Sequence, residues 1–244
     1  MTSSSLPIQI LIISLERSLD RRAKVAQEMA KVSMPWSFLS AVDGSALKKP
    51  PEEYKSRKVR WLLGHDLTPN EIGCYLSHKL AWRSCVANDL PTLVFEDDFV
   101  LAPNFQEVIT ELLHNQNLWN FVRLQGLYEV PFRVVAEISN IKLVKNIGDA
   151  VGATAYLLKP DVARRLIQAS TDIYEPVDHF LEHHHKHGLE FLAIRPYPVD
   201  ITRAKSTIDD RSEREPIRGL KKRVRSIARF VDRLLSASPW FPKP

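Results

Sequence analysis

Short apolar runs alternate with amphipathic stretches along the first half of the chain. The runs predict three strands, at residues 8–15, 36–42 and 93–95. Between the last two, Thr68 is followed by Pro69 and Glu71 in the pattern of a capped helix start, and we expect this helix to extend to about Ala87. Strands that alternate with helices favour a largely parallel sheet with helices on both faces.

The second half of the chain has shorter apolar runs. They predict strands at residues 121–124, 134–135, 141–144, 152–158, 191–194 and 197–199, and helices at residues 104–114, 161–169 and from 176 onward. Short strands of this kind suggest a mixed extension of the parallel sheet. Residues 48–66 mix charges with prolines, so we expect an irregular excursion there. The predicted fold class is therefore α/β, an open sandwich.

Three consecutive acids, Glu96, Asp97 and Asp98, interrupt an otherwise apolar run. Their position places them where a buried strand ends, and a carboxylate cluster there is unfavourable without a cation. Clustered oxygen ligands select hard divalent ions, and Mg²⁺ or Mn²⁺ is usually completed by substrate phosphates. We therefore expect a metal ion that holds a diphosphate. The alternative is a solvated turn after an edge strand.

Polar residues also follow the first two predicted strands. Arg17, Arg21 and Arg22 lie at a strand-to-helix turn, which is where α/β folds bind nucleotides. Asp43 closes the second strand in the same way. The arginines are available for a phosphate or a base, and the alternative is that they are solvated charges of a first helical turn.

The helix that begins after Thr68 carries small residues on one face. Gly73 and Ser77 are four residues apart on that face, so a strand or a ligand can approach it closely. Further along, the histidines between residues 183 and 187 point around their helix with no cysteine or carboxylate nearby to complete a tetrahedral set. We expect these histidines to be mostly solvated.

The length and composition of the chain indicate how its domains are organised. With 244 residues, of which 44% are hydrophobic and 26% charged, the chain can form one sizeable core. We expect one domain over residues 1–205 and a tail over residues 206–244.

The apolar run 8–15 is too short to span a bilayer and lacks the features of a signal peptide. Cys74 and Cys85 are too far apart on one helix to form a disulfide, which points to a reduced, cytosolic protein.

The basic charge is concentrated in the tail. Residues 211–235 hold nine Lys or Arg against three acids, whereas the whole chain carries a net charge of +5. Apolar residues recur there at three- and four-residue steps, which predicts a basic amphipathic helix. With Trp240 and Phe241 beyond it, residues 217–241 are typical of a segment that lies on an anionic membrane. The alternative is packing on the domain; nucleic acid is disfavoured because the aromatics are not interleaved with the basic residues.

Six blocks taken in order resemble glycosyltransferase family 25, which includes bacterial lipopolysaccharide and lipooligosaccharide galactosyl- and glucosyltransferases. The blocks lie at residues 13–22, 42–44, 71–78, 93–98, 152–156 and 176–178, and the resemblance covers roughly residues 8–205. It implies a GT-A-like fold, a nucleotide-sugar donor, a divalent metal on the acid motif, and inversion at the anomeric carbon.

The resemblance also implies roles for individual residues. Asp98, together with Glu96, would bind the metal, and Asp178, at a helix start, would be the catalytic base. The donor would contact Ser14, Leu15, Arg17, Arg22, Asp43, Gly73, Ser77, His78, Glu96 and Asp97. For His78 the alternative is a core histidine with satisfied hydrogen bonds, and for Asp178 a partner of the helix dipole.

The function expected from these features is a Mn²⁺- or Mg²⁺-dependent inverting transferase that moves a hexose, first of all galactose from UDP-galactose, to a lipopolysaccharide or lipooligosaccharide acceptor. Such an enzyme would work in the cytoplasm, peripherally on the inner face of the cytoplasmic membrane. One alternative is a metal-dependent nucleotidyltransferase or phosphohydrolase, although the chain lacks a Gly-rich phosphate loop. Another is a non-catalytic protein that binds a membrane surface through the tail.

Overall fold

The computed structural model describes residues 7–202, so the predicted basic helix of the tail lies outside the described residues. The helices are α1 (Leu19–Met29), α2 (Ser56–Leu63), α3 (Pro69–Asn88), α4 (Phe105–His114), α5 (Pro160–Ala169), α6 (Val177–Glu182) and α7 (His184–His187). The strands are β1 (Gln9–Ser14), β2 (Ser37–Ser40), β3 (Thr92–Glu96), β4 (Phe99–Leu101), β5 (Phe121–Arg123), β6 (Phe132–Ile138), β7 (Ile141–Asn146), β8 (Ala155–Leu158), β9 (Leu192–Arg195) and β10 (Val199–Ile201).

Eight of these strands form one mixed sheet in the order β2-β1-β3-β8-β5-β9-β7-β6. Strand β1 is parallel to both β2 and β3, which confirms the parallel arrangement predicted for the first half. Strand β8 lies antiparallel between β3 and β5, and the β6–β7 hairpin extends the far edge. The mixed extension predicted for the second half is therefore confirmed, and the architecture is GT-A-like.

The sheet is covered on both faces because the middle of its central strands places apolar side chains on both sides. In β1, Ile10 and Ile12 pack into a core with α1 and α4, whereas Leu11 and Ile13 pack into a second core with α3, α5 and α6. Alternating side chains of one strand thus serve two cores. Burial of each such aliphatic side chain contributes about 1.5–3 kcal/mol, so the strand ends are held by a rigid support.

Helix α3 is the element that carries the small-residue face. Thr68 and Glu71 form the predicted capping box, with the Thr68 Oγ1 accepting from the Glu71 N–H at 3.2 Å and the Glu71 carboxylate accepting from the Thr68 N–H at 2.8 Å. The helix ends at Asn88, close to the predicted Ala87. Its buried Lys79 is satisfied by the Ser170 carbonyl at 2.9 Å and by Glu53 at 3.0 Å.

The fold differs from the sequence prediction in three places. Residues 48–66 are not wholly irregular, since α2 forms there and is anchored by the buried Val59. Strand β4 follows the acids directly and pairs with β10 in a separate two-stranded sheet. The histidines of residues 183–187 do not share one helix, because the chain breaks at His183 between α6 and α7.

Candidate active site at the carboxyl ends of the parallel strands

The three parallel strands deliver their carboxyl ends to one edge of the sheet. Ile13 of β1 is in register with Glu96 of β3, so Ser14 and the acids Asp97 and Asp98 emerge side by side. A cavity of about 240 Å³, open to solvent, lies at this edge. Its wall includes all three acids, the turn after β1 and the loop after β2.

Asp97 is the acid whose charge is compensated. Its two carboxylate oxygens accept hydrogen bonds from the Ser14 hydroxyl and from the Arg21 guanidinium, each at 2.7 Å. The Arg21 and Asp97 side chains are only 21% and 12% exposed, which makes this a better-shielded pair than an ordinary surface ion pair. The positive charge expected on the acid cluster is thus supplied in part by the protein itself.

Asp98 is the acid whose charge has no such partner. Its Oδ1 is buried and, within the described residues, accepts no hydrogen bond. Burial, followed by the nearby charges of Glu96 and Asp97, raises the pKa of Asp98 to about 7. A carboxylate with one buried, unused oxygen beside two other acids fits a divalent cation, which would relieve both the repulsion and the unmet hydrogen-bonding capacity.

Glu96 is turned toward α3. Its Oε1 accepts from the Cys74 thiol at 3.6 Å and lies 3.2 Å from His78 Nε2, while its Oε2 lies 3.4 Å from the Thr154 hydroxyl. Burial alone would raise the pKa of Glu96, but the contact with His78, supported by Cys74 and Thr154, outweighs it and lowers the pKa. Glu96 is therefore a carboxylate that α3 holds in place.

His78 lies behind Glu96 rather than on the cavity wall. It is fully buried, and its Nδ1 is 2.8 Å from the Tyr156 hydroxyl. The same hydroxyl accepts from Trp82 Nε1 at 2.9 Å. Both ring nitrogens of His78 therefore have partners, and the chain from Trp82 through Tyr156 fixes the ring that contacts Glu96.

The small-residue face of α3 receives the loop after β2. A Cβ on Gly73 would lie 2.7 Å from both the Val42 carbonyl oxygen and the Gly44 nitrogen, so only glycine allows this approach. Ser77 Oγ accepts from the Val42 N–H at 2.8 Å and donates to the Gly73 carbonyl at 2.7 Å. The backbone that approaches Gly73 therefore belongs to the loop after β2, and not to a strand as one of the two expectations had it. Ser77 also reaches the cavity wall.

The loop after β2 is tied to the turn after β1 by charge. Asp43 caps a short 3₁₀ turn by accepting from the Ser45 N–H at 3.0 Å, and it pairs with the Arg17 guanidinium. Arg17 remains 57% exposed on the cavity wall. Arg22 points elsewhere, since it donates to the Ser14 carbonyl at 3.1 Å and stacks on the Phe38 ring.

The structure thus brings together most, but not all, of the residues singled out in the sequence. On the cavity wall are Ser14, Leu15, Arg17, Ser77, Glu96, Asp97 and Asp98. The wall does not include Arg22, Asp43, Gly73, His78 or Asp178. Asp178 is half-buried in the first turn of α6, where its Oδ1 accepts from the His179 N–H at 2.9 Å.

Two other carboxylates near Asp178 are occupied by structural contacts. Glu175 is buried and binds His183 at 2.6 Å and Lys186 at 2.8 Å, contacts that outweigh burial and lower its pKa. Glu182 pairs with the buried Arg123 at 2.8 Å and accepts from the Val151 N–H at 2.8 Å. Neither carboxylate is therefore placed to take a proton from a substrate without first losing these contacts.

The cavity wall also includes polar residues that are not among the metal, donor and base residues expected from the sequence, notably Arg21, Asn70 and Cys74. Arg21 was one of three candidate arginines, and its position in the first turn of α1, just after the strand-to-helix turn, was a usable signal. Cys74 and Asn70 also reach the wall from α3. Nothing in their local sequence distinguished them, since their exposure depends on how α3 packs against the strand ends.

An acid cluster in a cavity beyond the carboxyl ends of parallel strands is the arrangement of α/β proteins that bind nucleotides at this edge. The chain belongs to glycosyltransferase family 25: the family model described as Glycosyltransferase family 25 (LPS biosynthesis protein) matches residues 7–181. That match includes every strand end at the cavity. Within residues 7–202, no helix is long and apolar enough to cross a bilayer.

Individual relatives carry different names. The lipooligosaccharide biosynthesis protein lic2B of Haemophilus influenzae is 25% identical over 173 residues, which cover 64% of this chain and 60% of that protein. The inactive glycosyltransferase 25 family member 3 of Mus musculus is 31% identical over 185 residues, covering 71% and 31%. Procollagen galactosyltransferase 2 of Homo sapiens is 28% identical over 189 residues, covering 71% and 29%. The chain therefore spans less than two thirds of each of these relatives.

Proposed function

We propose that this protein is a metal-dependent inverting glycosyltransferase that transfers a hexose to a lipopolysaccharide or lipooligosaccharide acceptor. Galactose from UDP-galactose is the first candidate for the transferred sugar. The observation that carries the proposal is Asp98, a carboxylate with one buried, unused oxygen in the wall of an open cavity. The family membership and the names of lic2B and procollagen galactosyltransferase 2 support the sugar-transfer chemistry and the choice of galactose.

The proposed metal ligand is Asp98. Asp98 would hold Mn²⁺ or Mg²⁺, whose charge would stabilise the negative charge that grows on a departing diphosphate. Asp97 stays oriented by Ser14 and Arg21 and so presents a fixed charge beside it. Glu96 would join the same ion only by exchanging its contacts with His78 and Cys74.

The donor is proposed to lie between the turn after β1 and the loop after β2. Arg17 offers a half-exposed guanidinium there to a phosphate or a base, and its pairing with Asp43 orients it. Gly44 and Ser77 bring the loop backbone close to α3, which leaves the cavity open between the two strand ends. Rigid walls of this kind hold a nucleotide at low entropic cost.

Asp178 is the proposed general base that takes the proton from the acceptor hydroxyl. It begins α6 and its Oδ1 is already held by the His179 N–H, so the carboxylate is fixed relative to the helix. Glu175 and Glu182 are less suitable because both are engaged in ion pairs. This assignment requires an acceptor that reaches beyond the cavity wall to α6.

The proposed location is the cytoplasm, peripherally on the inner face of the cytoplasmic membrane. Its support is the basic and apolar pattern of residues 217–241, which would meet an anionic surface where a lipid-linked acceptor is presented. No nucleic-acid partner is proposed. The competing assignments, a nucleotidyltransferase or phosphohydrolase and a non-catalytic membrane-surface protein, are outcomes of the experiment below.

The test is a donor screen on the full chain. Nucleotide release is measured from UDP-galactose, UDP-glucose and their N-acetyl forms, with an oligosaccharide acceptor, in Mn²⁺ and in EDTA. We expect release that requires Mn²⁺, is lost in Asp98→Asn, and persists in Asp161→Asn, a control at a carboxylate whose side chain is 92% exposed.

Other results would reject parts of the proposal. Release that is equal in EDTA, or unchanged in Asp98→Asn, would remove the metal role. Hydrolysis without transfer would favour a phosphohydrolase. No turnover with any donor would favour a non-catalytic protein, a result compatible with the relative whose name marks it as inactive.

A further inference from the structure

One face of α3 meets the end of β3 through three different ligand-type side chains. Cys74 and His78 are one turn apart on α3, and Glu96 is the last residue of β3. The Cys74 Sγ, one His78 ring nitrogen and one Glu96 oxygen all lie within 4.8 Å of one another. Among residues 7–202 this is the one group of three or more such side chains that is close enough to share an ion.

Two of the three distances among these atoms match those around a tetrahedral zinc ion. Zn–S bonds of about 2.3 Å and Zn–N or Zn–O bonds of about 2.0–2.1 Å give ligand-to-ligand edges of about 3.6 Å for S to O and about 3.3 Å for N to O. The observed edges are 3.6 Å from Cys74 Sγ to Glu96 Oε1 and 3.2 Å from His78 Nε2 to the same oxygen. The remaining edge, from Cys74 Sγ to the His78 ring nitrogen, is below 4.8 Å.

His78 is oriented by hydrogen bonds in the way that a metal-bound histidine usually is. A metal-bound histidine is commonly oriented by a hydrogen bond at its other ring nitrogen. Here His78 Nδ1 contacts the Tyr156 hydroxyl at 2.8 Å, and Trp82 Nε1 holds that hydroxyl at 2.9 Å. The side chains of His78, Tyr156 and Trp82 are fully buried. The packing of the core therefore fixes the direction in which His78 Nε2 faces Glu96.

A fourth position is available on the cavity side. Cys74 and Glu96 are wall residues of the cavity, whereas His78 approaches from the core. Three protein ligands with one side open to solvent is the arrangement of zinc sites that bind a water or a solute. The donor set also selects the ion, because thiolate and imidazole favour Zn²⁺, whereas an all-oxygen environment such as that of Asp98 favours Mn²⁺ or Mg²⁺.

We propose that Cys74, His78 and Glu96 form a Zn²⁺ site in the wall of the cavity, separate from the hard-cation position at Asp98. Binding releases the Cys74 thiol proton to the buffer, and the neutral His78 binds through Nε2 with its Nδ1–H donating to Tyr156. Zinc would fix Glu96 on α3 and leave Asp98 to the hard cation. This division of ligands rests on the proposed function; the zinc site itself does not.

The test uses Co²⁺ as a spectroscopic substitute for Zn²⁺ on the reduced, metal-free full chain, with no sugar donor present. We expect one equivalent of Co²⁺ to give a thiolate-to-cobalt charge-transfer band that Zn²⁺ abolishes. The band should be lost in Cys74→Ser and kept in Cys85→Ser, a matched control because Cys85 lies on the same helix outside the cluster. Cobalt bound only to the histidines of residues 183–187 gives no thiolate band.

A second measurement uses the unaltered protein and so does not depend on the folding of a variant. Alkylation of Cys74 is followed by mass spectrometry of its peptide, with and without Zn²⁺, and zinc should slow it at least tenfold. Absence of the thiolate band in the unaltered protein, its persistence in Cys74→Ser, or an alkylation rate unaffected by zinc would each overturn the site. None of these readouts depends on sugar transfer, so the two proposals fail separately.

Discussion

Replacing Asp98 with Asn should stabilise the metal-free protein, and the gain should grow with pH. The folded protein holds the Asp98 proton more tightly than the unfolded chain does, because the pKa rises from 3.8 to about 7 on folding. Stability is therefore lost as pH rises between these two values and is constant above the upper one. An asparagine is neutral at every pH and removes this loss.

The magnitude follows from the same two pKa values. At about 1.4 kcal/mol for each tenfold change in proton affinity, the rise corresponds to an upper bound of about 4 kcal/mol above neutral pH and to less than about 2 kcal/mol near pH 5. Solvent near this partly exposed site reduces both figures. The observable is the difference in unfolding free energy between Asp98→Asn and the unaltered protein, which should increase by about 1–3 kcal/mol from pH 5 to pH 8.

Chemical denaturation in EDTA at several pH values measures this difference, and Asp161→Asn serves as the control for an exposed acid. A gain that is absent, or that is the same at pH 5 and pH 8, would refute the electrostatic reasoning. Adding Mn²⁺ provides a second check. At about 100 times its dissociation constant the ion should stabilise the unaltered protein by about 2.7 kcal/mol and leave Asp98→Asn little changed.

Four further predictions concern the base, the loop, a buried ion pair and the tail. Asp178→Asn should lower turnover on the order of 100-fold with little change in donor affinity, and near-normal turnover would move the base elsewhere. Gly73→Ala should cost about 1–3 kcal/mol in denaturation, since its Cβ would overlap the backbone of the loop after β2. Arg123→Met should cost about 3–5 kcal/mol by leaving Glu182 unpaired, and adding Glu182→Met should recover most of it. Deleting residues 211–244 should release the protein from anionic liposomes while transfer to a soluble acceptor continues; equal liposome binding by both chains would exclude the tail as the membrane contact.

Local sequence signals predicted the elements that have a strong local cause. The capped start of α3 at Thr68 and the apolar run of β1 are specified by residues a few positions apart, and both were predicted within a residue or two. Strand β4 could not be found in this way. It is three residues long, and it exists because β10, about one hundred residues later, pairs with it.

Helix α2 was missed for a similar reason. Its eight residues mix four apolar side chains with two arginines and a lysine, and only Val59 among them is buried. Val59, Leu62 and Leu63 do have helical spacing, but eight residues are too few for that pattern to stand out beside the surrounding charges and prolines. The same limit applies to Arg22, since neighbouring arginines at a helix start look alike until the packing on Phe38 separates Arg22 from Arg21.

The acid cluster shows most clearly what a sequence can and cannot specify. Three adjacent carboxylates predict a site for positive charge, but they do not say which of them has an unmet charge. Asp97 is neutralised from α1 by Arg21, and Glu96 is held from α3 by His78 and Cys74. Asp98 alone of the three keeps a buried oxygen with no hydrogen bond in the described part of the chain. The two helices, which pack on opposite faces of the sheet, therefore distinguish Asp98, the proposed metal ligand, as the one acid of the three that neither helix pairs directly.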